Sequence, residues 1–221
     1  MNVIRSKFRG CLAGALLGDA LGQIFEGQYW NEPVPKERFG ELSKEKLVKL
    51  KESSEFLPYT DDTAMTKAIC RSLLSQQSFN VNDMAKAFVE EYFREPWRGY
   101  GAGVVTVFQR LHTEKHDDVL LPAREQFNGE GSYGNGAAMR VSPLALFYSK
   151  DFEQLKIVSI NVLRQLDTVF PYSYCIVRSQ TSRSVSITYC MGTQEQMFFI
   201  SFIKSKVWKH LLYQTMFSIQ L

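Results

Sequence analysis

Glycines stand at positions 10, 14, 18 and 22 of the stretch "FRGCLAGALLGDALGQIF", residues 8–25. A strict interval of four places them along one face of an α-helix. Each costs a helix interior about 1 kcal/mol relative to alanine, so a helix that keeps four is expected to have another backbone close against that face. Leu12, Ala15, Leu16 and Ala20 add apolar surface beside them. The apolar run falls short of the ~18 residues of a membrane span, and Asp19 and then Glu26 end it. The chain therefore begins with a helix suited to close packing in a helical protein.

The following segments keep the helical period. Ala64, Met65, Ala68, Ile69 and Leu73 predict a helix over 60–75. Val81, Met84, Ala85, Phe88, Val89 and Tyr92 predict another over 80–93, with Asn80 or Asn82 as its cap. Val104, Val105, Phe108 and Leu111 point to a helix over 102–111. A short helix over 118–126 would hold Pro122 in its first turn, and a last one over 136–148 would bend at Pro143. Residues 31–57 are charged and carry Pro33, Pro35 and Gly40, which reads as a surface loop with a short helix at "SKEKLVKLKE". The pattern to residue 156 is all-α. Beyond it, "YSYCIVRSQTSRSVSITYC" is rich in Ser, Thr, Tyr and β-branched residues without helical period. "MFFISFI" has neither charge nor proline, an aggregation hazard if exposed. The expected organisation is a helical bundle over 1–156 and an irregular, divergent tail over 157–221.

Charge divides at the same place. Residues 1–156 hold 20 Lys and Arg against 21 Asp and Glu, a net −1, whereas 157–221 hold 6 against 2, a net +4. The basic character belongs to the tail, and no dense Lys/Arg stripe marks a nucleic-acid partner. At 221 residues with 45% hydrophobic content, the chain is long enough for one core of useful size. Cysteines 11, 70, 175 and 190 form no CxxC pair and no zinc spacing, which reads as reduced thiols in an intracellular protein. The start "MNVIRSKFRGCLAG" is basic, but Gly and Asp interrupt its apolar run too early for a secretory signal.

"PYTDDTAMTKAI", residues 58–69, sets Asp61 and Asp62 between Thr60 and Thr63. Thr60 is a good N-cap, and carboxylates in a first turn favour the helix dipole. Capping alone explains the pattern. The competing reading is that four hard oxygen donors at one helix end suit Mg²⁺, Ca²⁺ or Mn²⁺, with further ligands from elsewhere, Asp19 and Glu26 being candidates. Asp117 and Asp118, ahead of "VLLPA", read as an ordinary cap. "NGEGSYGNGAAMR", residues 128–140, alternates glycines with small polar residues and feeds a helix start. Such a turn either is merely flexible or offers backbone N–H groups to an anion, with Ser132 and Asn135 as helpers and Phe127 and Tyr133 as stacking candidates. "RGYGAGVV" at 98–105 is a third glycine segment of the kind that lets backbone approach a ligand. His112, His116 and His210 have no visible nucleophile partner.

Taken in order, "FRGCLAGALLGDALG", "EG" at 26–27, "YTDDTAM", "RGYGAGVVTVF" and "QFNGEGSYGNGAAMRVSPLAL" resemble the ADP-ribosylglycohydrolase family over roughly residues 5–155. The resemblance implies an all-α bundle with two Mg²⁺ ions at its centre. It implies that Thr60, Asp61 and Asp62 are metal ligands, and that Glu26 is a metal-site glutamate on a mobile loop that gates substrate entry. It further implies that Glu130, Gly131, Ser132, Tyr133, Gly134, Asn135 and Gly136 wrap the diphosphate and distal ribose, with Phe127 and Tyr133 near adenine and Asp61 also facing substrate. Glu26, Asp61 and Asp62 are then the catalytic candidates. The implied reaction is Mg²⁺-dependent hydrolysis of the O-glycosidic bond of ADP-ribose on serine, or of ribose–ribose bonds in poly(ADP-ribose), with O-acetyl-ADP-ribose as a further substrate. The implied partners are ADP-ribose, serine-ADP-ribosylated proteins and poly(ADP-ribose), with no direct DNA binding and no membrane. The implied setting is a monomer of the DNA damage response in cytoplasm and nucleus, with the mitochondrial matrix as an alternative.

The family's second metal motif, Gly-Asp-x-Asp-Thr, does not occur after residue 156. The composition change near 157 reads as a truncated or alternatively spliced product, or as translated non-coding sequence. On that reading the metals lose ligands, and the chain is expected to be impaired, either a non-catalytic ADP-ribose binder or a non-functional isoform. A generic two-metal phosphohydrolase is a further alternative, because oxygen ligands alone do not separate phosphate from glycoside chemistry.

Overall fold

The computed structural model describes residues 3–23, 58–114, 117–129, 136–165, 174–180 and 184–190, with isolated positions between 40 and 56. Helix α1 spans Val3–Gly22 and α2 spans Asp61–Gln76. They are followed by α3 (Val81–Arg94), α4 (Ala102–Thr113), the short α5 (Leu121–Arg124) and a 3-10 turn over Gln126–Gly129. Next come α6 (Gly136–Met139), α7 (Ser142–Phe147) and α8 (Phe152–Arg164). The expected short helix at "SKEKLVKLKE" lies in a stretch of which only isolated positions are described.

The helix ends follow local chemistry. Thr60 is extended and its hydroxyl accepts from the Asp62 N–H, while α2 stops at Gln77, which takes a left-handed conformation at φ +55°. The Asn80 side-chain oxygen accepts from the N–H groups of Asn82 and Asp83, both at 3.0 Å, so Asn80 rather than Asn82 is the cap of α3. Asp83 in turn accepts from Ser72 Oγ and Gln76 Nε2, tying α2 to α3. Asp118 accepts from the Leu120 N–H at 2.9 Å and pairs with Arg124, closing the turn ahead of α5, whose N-cap is Leu120 and not the expected aspartate.

The core lies between α2, α3 and α4 and is closed by α7 and α8. Met65, Ile69 and Leu73 meet Met84 and Phe88, Val107 and Phe108, Leu144, and Leu155, Val158 and Val162. A fully buried side chain of this size contributes about 1.5–3 kcal/mol. Glu91 is the charged exception. Its side chain is 0% exposed and meets Lys67 at 3.2 Å, Arg71 at 2.5 Å and Arg94 at 2.7 Å, all reaching in from the half-exposed rim. Two positive partners on α2 and one on α3 thus offset the desolvation of this one carboxylate.

Some expectations change. The helix expected over 136–148 is two pieces, α6 and α7, so Pro143 sits in the first turn of α7 instead of bending a longer helix. The first turn is where a missing N–H costs least. Helix α8 passes without interruption through residues 156 and 157, where the composition changes, and its buried Leu155, Val158 and Val162 share one core. Past α8, Tyr174–Gln180 and Ser184–Cys190 pair as an antiparallel hairpin, with Val177 opposite Ile187, in keeping with the strand-like composition there. Among the described residues, the glycine face of α1 is open. A Cβ placed on Gly10, Gly14, Gly18 or Gly22 meets nothing within 4 Å, because α1 joins the body through its C-terminal end, where Ala20 and Leu21 are buried. Close approach occurs at Gly103 of α4, where an added Cβ would lie 2.8 Å from Gln126 Oε1 and 2.9 Å from the Phe127 ring.

Candidate metal and substrate site

Helix α2 starts where three segments converge. Thr60 is 3% exposed. Its N–H donates to both carboxylate oxygens of Asp19 on α1, at 3.1 and 3.0 Å, and its hydroxyl donates to Asp19 Oδ1 at 2.7 Å. The Thr63 N–H donates to Asp19 Oδ2 at 3.1 Å. Asp19, a candidate ligand by sequence, therefore directs its oxygens at the first turn of α2. A carboxylate at a helix N-terminus is favoured by the exposed N–H groups and by the dipole. With its hydrogen given to Asp19, the Thr60 hydroxyl keeps its lone pairs; one receives a long 3.4 Å bond from the Asp62 N–H. Asp61 and Asp62 follow, both half-buried in the same turn.

The other wall is the segment after α3. The Asp61 N–H donates to the Arg98 carbonyl at 2.8 Å. Arg98 Nη1 donates to the Tyr59 carbonyl at 2.8 Å, and the guanidinium carbon lies 3.7 Å from the centre of the Tyr59 ring. The same guanidinium forks onto Glu95 at 3.1 and 2.8 Å, and Tyr59 OH donates to Glu95 at 3.1 Å. Hydrogen bonding from Arg98 holds the Glu95 carboxyl below its ordinary range, and Glu95 pushes Arg98 up. Tyr100 packs edge-on against Tyr92 and Phe108, with ring centroids 5.1 and 5.8 Å apart. Burial, followed by the nearby carboxylates of Glu91, Asp61 and Glu95, pushes its phenol well up, so it stays neutral. Arg98, at the start of the 98–105 glycine segment, thus lies beside the Asp pair.

At the approach to the glycine-rich loop, Phe127, Asn128 and Gly129 are left-handed in succession, with φ of +50°, +58° and +80°. The Phe127 ring rests against Gly103 and is 54% exposed. Gly136 opens α6. Glu26, Glu130, Gly131, Ser132, Tyr133, Gly134 and Asn135 lie outside the described residues. Asp19 and Thr60, Asp61 and Asp62, and the 98–101 segment are therefore brought together, with Phe127 placed by Gly103. Sequence reasoning missed Arg98. Its signal was a Glu and an Arg three apart across the Pro96-Trp97 turn, the spacing of an intra-turn fork.

Thr60, Asp61 and Asp62 present hard oxygens at a positive helix end, a donor set that fits part of an Mg²⁺ shell. Among the described residues no group of three or more His, Cys, Asp or Glu is gathered for a metal ion. No helix among them is long and apolar enough to cross a membrane.

This helical body, with paired aspartates at a helix start and a glycine-rich segment ahead of α6, is that of an ADP-ribosylglycohydrolase. A model of that family matches residues 1–164, and the chain belongs to it. It is similar to the ADP-ribosylhydrolase ARH3 of Homo sapiens, 51% identical over 145 residues that cover 65% of this chain and 40% of that protein. The Mus musculus ADP-ribosylhydrolase ARH3 is 50% identical over 145 residues, 65% of this chain and 39% of that one. The protein of that name from Gallus gallus is 47% identical over 161 residues, 68% and 42% respectively. The chain spans about two fifths of the length of these relatives.

Proposed function

We propose that this chain acts on ADP-ribose linked through its C1″ oxygen, with serine-ADP-ribosylated proteins and poly(ADP-ribose) as the substrate class. The observation that carries the reading is the turn at the start of α2. Asp19 fixes Thr60 from one side, and Arg98 holds the Asp61 backbone from the other. Thr60, Asp61 and Asp62 would hold Mg²⁺ there, with Glu26 as a further carboxylate. When bound, Mg²⁺ supplies charge stabilisation to the ribose hydroxyls and acidifies the attacking water.

The chain's own residues do the rest. The carboxylates of Glu26, Asp61 and Asp62 are the groups available to take the proton of that water as it adds to C1″ and to return one to the serine oxygen as its bond to C1″ breaks. Holding Asp61 and Asp62 on a capped helix start keeps their geometry from depending on long flexible side chains. Residues 131–136, with Glu130 before them and Ser132 and Asn135 among them, would bind the diphosphate and distal ribose. Phe127 and Tyr133 would flank adenine. Binding energy collected there, away from the reacting bond, serves to orient C1″.

The test is release of ADP-ribose from a serine-ADP-ribosylated peptide, followed by mass spectrometry in Mg²⁺ and in EDTA. Mg²⁺-dependent release that is lost in Asp61→Asn and Asp62→Asn supports the reading. No release, together with calorimetric binding of ADP-ribose in EDTA, replaces it with a non-catalytic ADP-ribose binder. Neither release nor binding removes both.

A further inference from the structure

We propose that Arg98 is a positioning residue for the aspartate turn of α2, acting on it through both its main chain and its side chain. The proposal rests on the reading of that turn as a metal site. Three contacts made by this one residue fall on Tyr59 and Asp61, the two neighbours of Thr60. Its carbonyl receives the Asp61 N–H at 2.8 Å, its Nη1 donates to the Tyr59 carbonyl at 2.8 Å, and its guanidinium plane covers the Tyr59 ring at 3.7 Å. The main-chain groups on either side of Thr60 are thereby tied to one residue.

The guanidinium is itself fixed. Glu95 takes its fork at 3.1 and 2.8 Å and also accepts from Tyr59 OH at 3.1 Å, closing a ring of Arg98, Glu95 and Tyr59. Lys67 Nζ donates to the same Tyr59 hydroxyl at 2.8 Å, linking the ring to the second turn of α2. The arginine side chain is only 16% exposed, so water competes weakly for these bonds. Asp19 holds Thr60 and Thr63 from α1, on the opposite flank. Asp61 is thus set between two fixed walls, and Arg98 supplies the one that contacts its own N–H. A lysine cannot reproduce this, because one ammonium does not fork onto a carboxylate, stack on a ring and reach a carbonyl together.

The experiment is Mn²⁺ titration of the full chain by electron paramagnetic resonance, with amide exchange of residues 59–64 measured by mass spectrometry in EDTA. The variants are Arg98→Ala, Arg98→Lys and Arg110→Ala, the last removing an arginine paired with Glu114 and Glu125 instead. Loss of a group that orients ligands typically weakens metal affinity about 10- to 100-fold. The expected result is about tenfold weaker Mn²⁺ binding and faster exchange of 59–64 in Arg98→Ala, with incomplete rescue by Arg98→Lys. Arg110→Ala should stay within about twofold of wild type on the same scale. Wild-type Mn²⁺ affinity in Arg98→Ala overturns the proposal. If the wild-type chain itself binds no Mn²⁺, the metal reading fails, and the positioning claim is then judged by exchange: unchanged protection in Arg98→Ala overturns it. If Arg98→Ala does not fold, Tyr59→Phe, which removes the hydroxyl links to Glu95 and Lys67 but keeps the ring and the carbonyl that Arg98 contacts, is measured in its place and should give a smaller shift of the same sign.

Discussion

Asp19→Ala removes the carboxylate that receives the Thr60 N–H, the Thr60 hydroxyl and the Thr63 N–H. Thr60 is 3% exposed, so its donors lose a partner where water has little access. A buried donor left unsatisfied costs about 1–3 kcal/mol, and a carboxylate at a helix N-terminus is worth about 0.3–2 kcal/mol. These terms overlap, and water entering the vacated space recovers part of the loss. A net loss of about 3 kcal/mol follows. For a protein of this size each kcal/mol moves Tm by about 2–4 °C, so Tm should fall by about 6–12 °C. Asp19→Asn keeps one carbonyl acceptor but turns an NH₂ toward a donor, and should lie between wild type and Asp19→Ala. The assay is urea unfolding followed by circular dichroism at 222 nm, with the same slope required across variants. A loss below about 1 kcal/mol for Asp19→Ala would refute the reasoning, since capping by Thr60 alone would then suffice.

Gly14→Ala should stabilise the chain by about 0.4–1 kcal/mol in the same assay, since the added Cβ meets nothing within 4 Å among the described residues and helix propensity improves. Gly103→Ala should cost about 1–2 kcal/mol and weaken ADP-ribose binding measured by calorimetry, because the new Cβ displaces the Gln126 and Phe127 side chains. Tyr100→Phe should be neutral or slightly stabilising on urea unfolding, because its buried hydroxyl has no hydrogen-bond partner among the described residues. The folded-state pKa of Glu95 lies below its ordinary value of 4.5, so its stabilisation is present above that value and lost as pH falls through the folded pKa. The deficit of Glu95→Gln relative to wild type should therefore be full at pH 7 and close in acid, as a Tm series against pH will show.

What could be read from the sequence was local. Thr60 and Asn80 announce their helices because a cap needs only its own next turn, and α3 is legible because its apolar positions keep the helical period. Asp61 and Asp62 were legible as a pair, but not what positions them. Asp19 acts across 41 positions and Arg98 across 37, and no local pattern reports such a contact. The glycine face of α1 is open among the described residues for a related reason: spacing shows that a backbone could approach, not which segment supplies it. Helix α8 was obscured because the composition shift was taken to begin at 157, inside a helix whose apolar side continues to Val162.

The bond between Asp19 and Thr60 also bears on how this scaffold accommodates change over evolutionary time. It fastens two sites 41 residues apart by side-chain and capping contacts that do not involve the chain between them. The entropy of closing such an interval rises only logarithmically, by about 0.6 kcal/mol for each doubling of its length. Length changes between Glu26 and the second anchor are therefore expected to cost little so long as both anchors are kept, leaving the aspartate turn in register with α1.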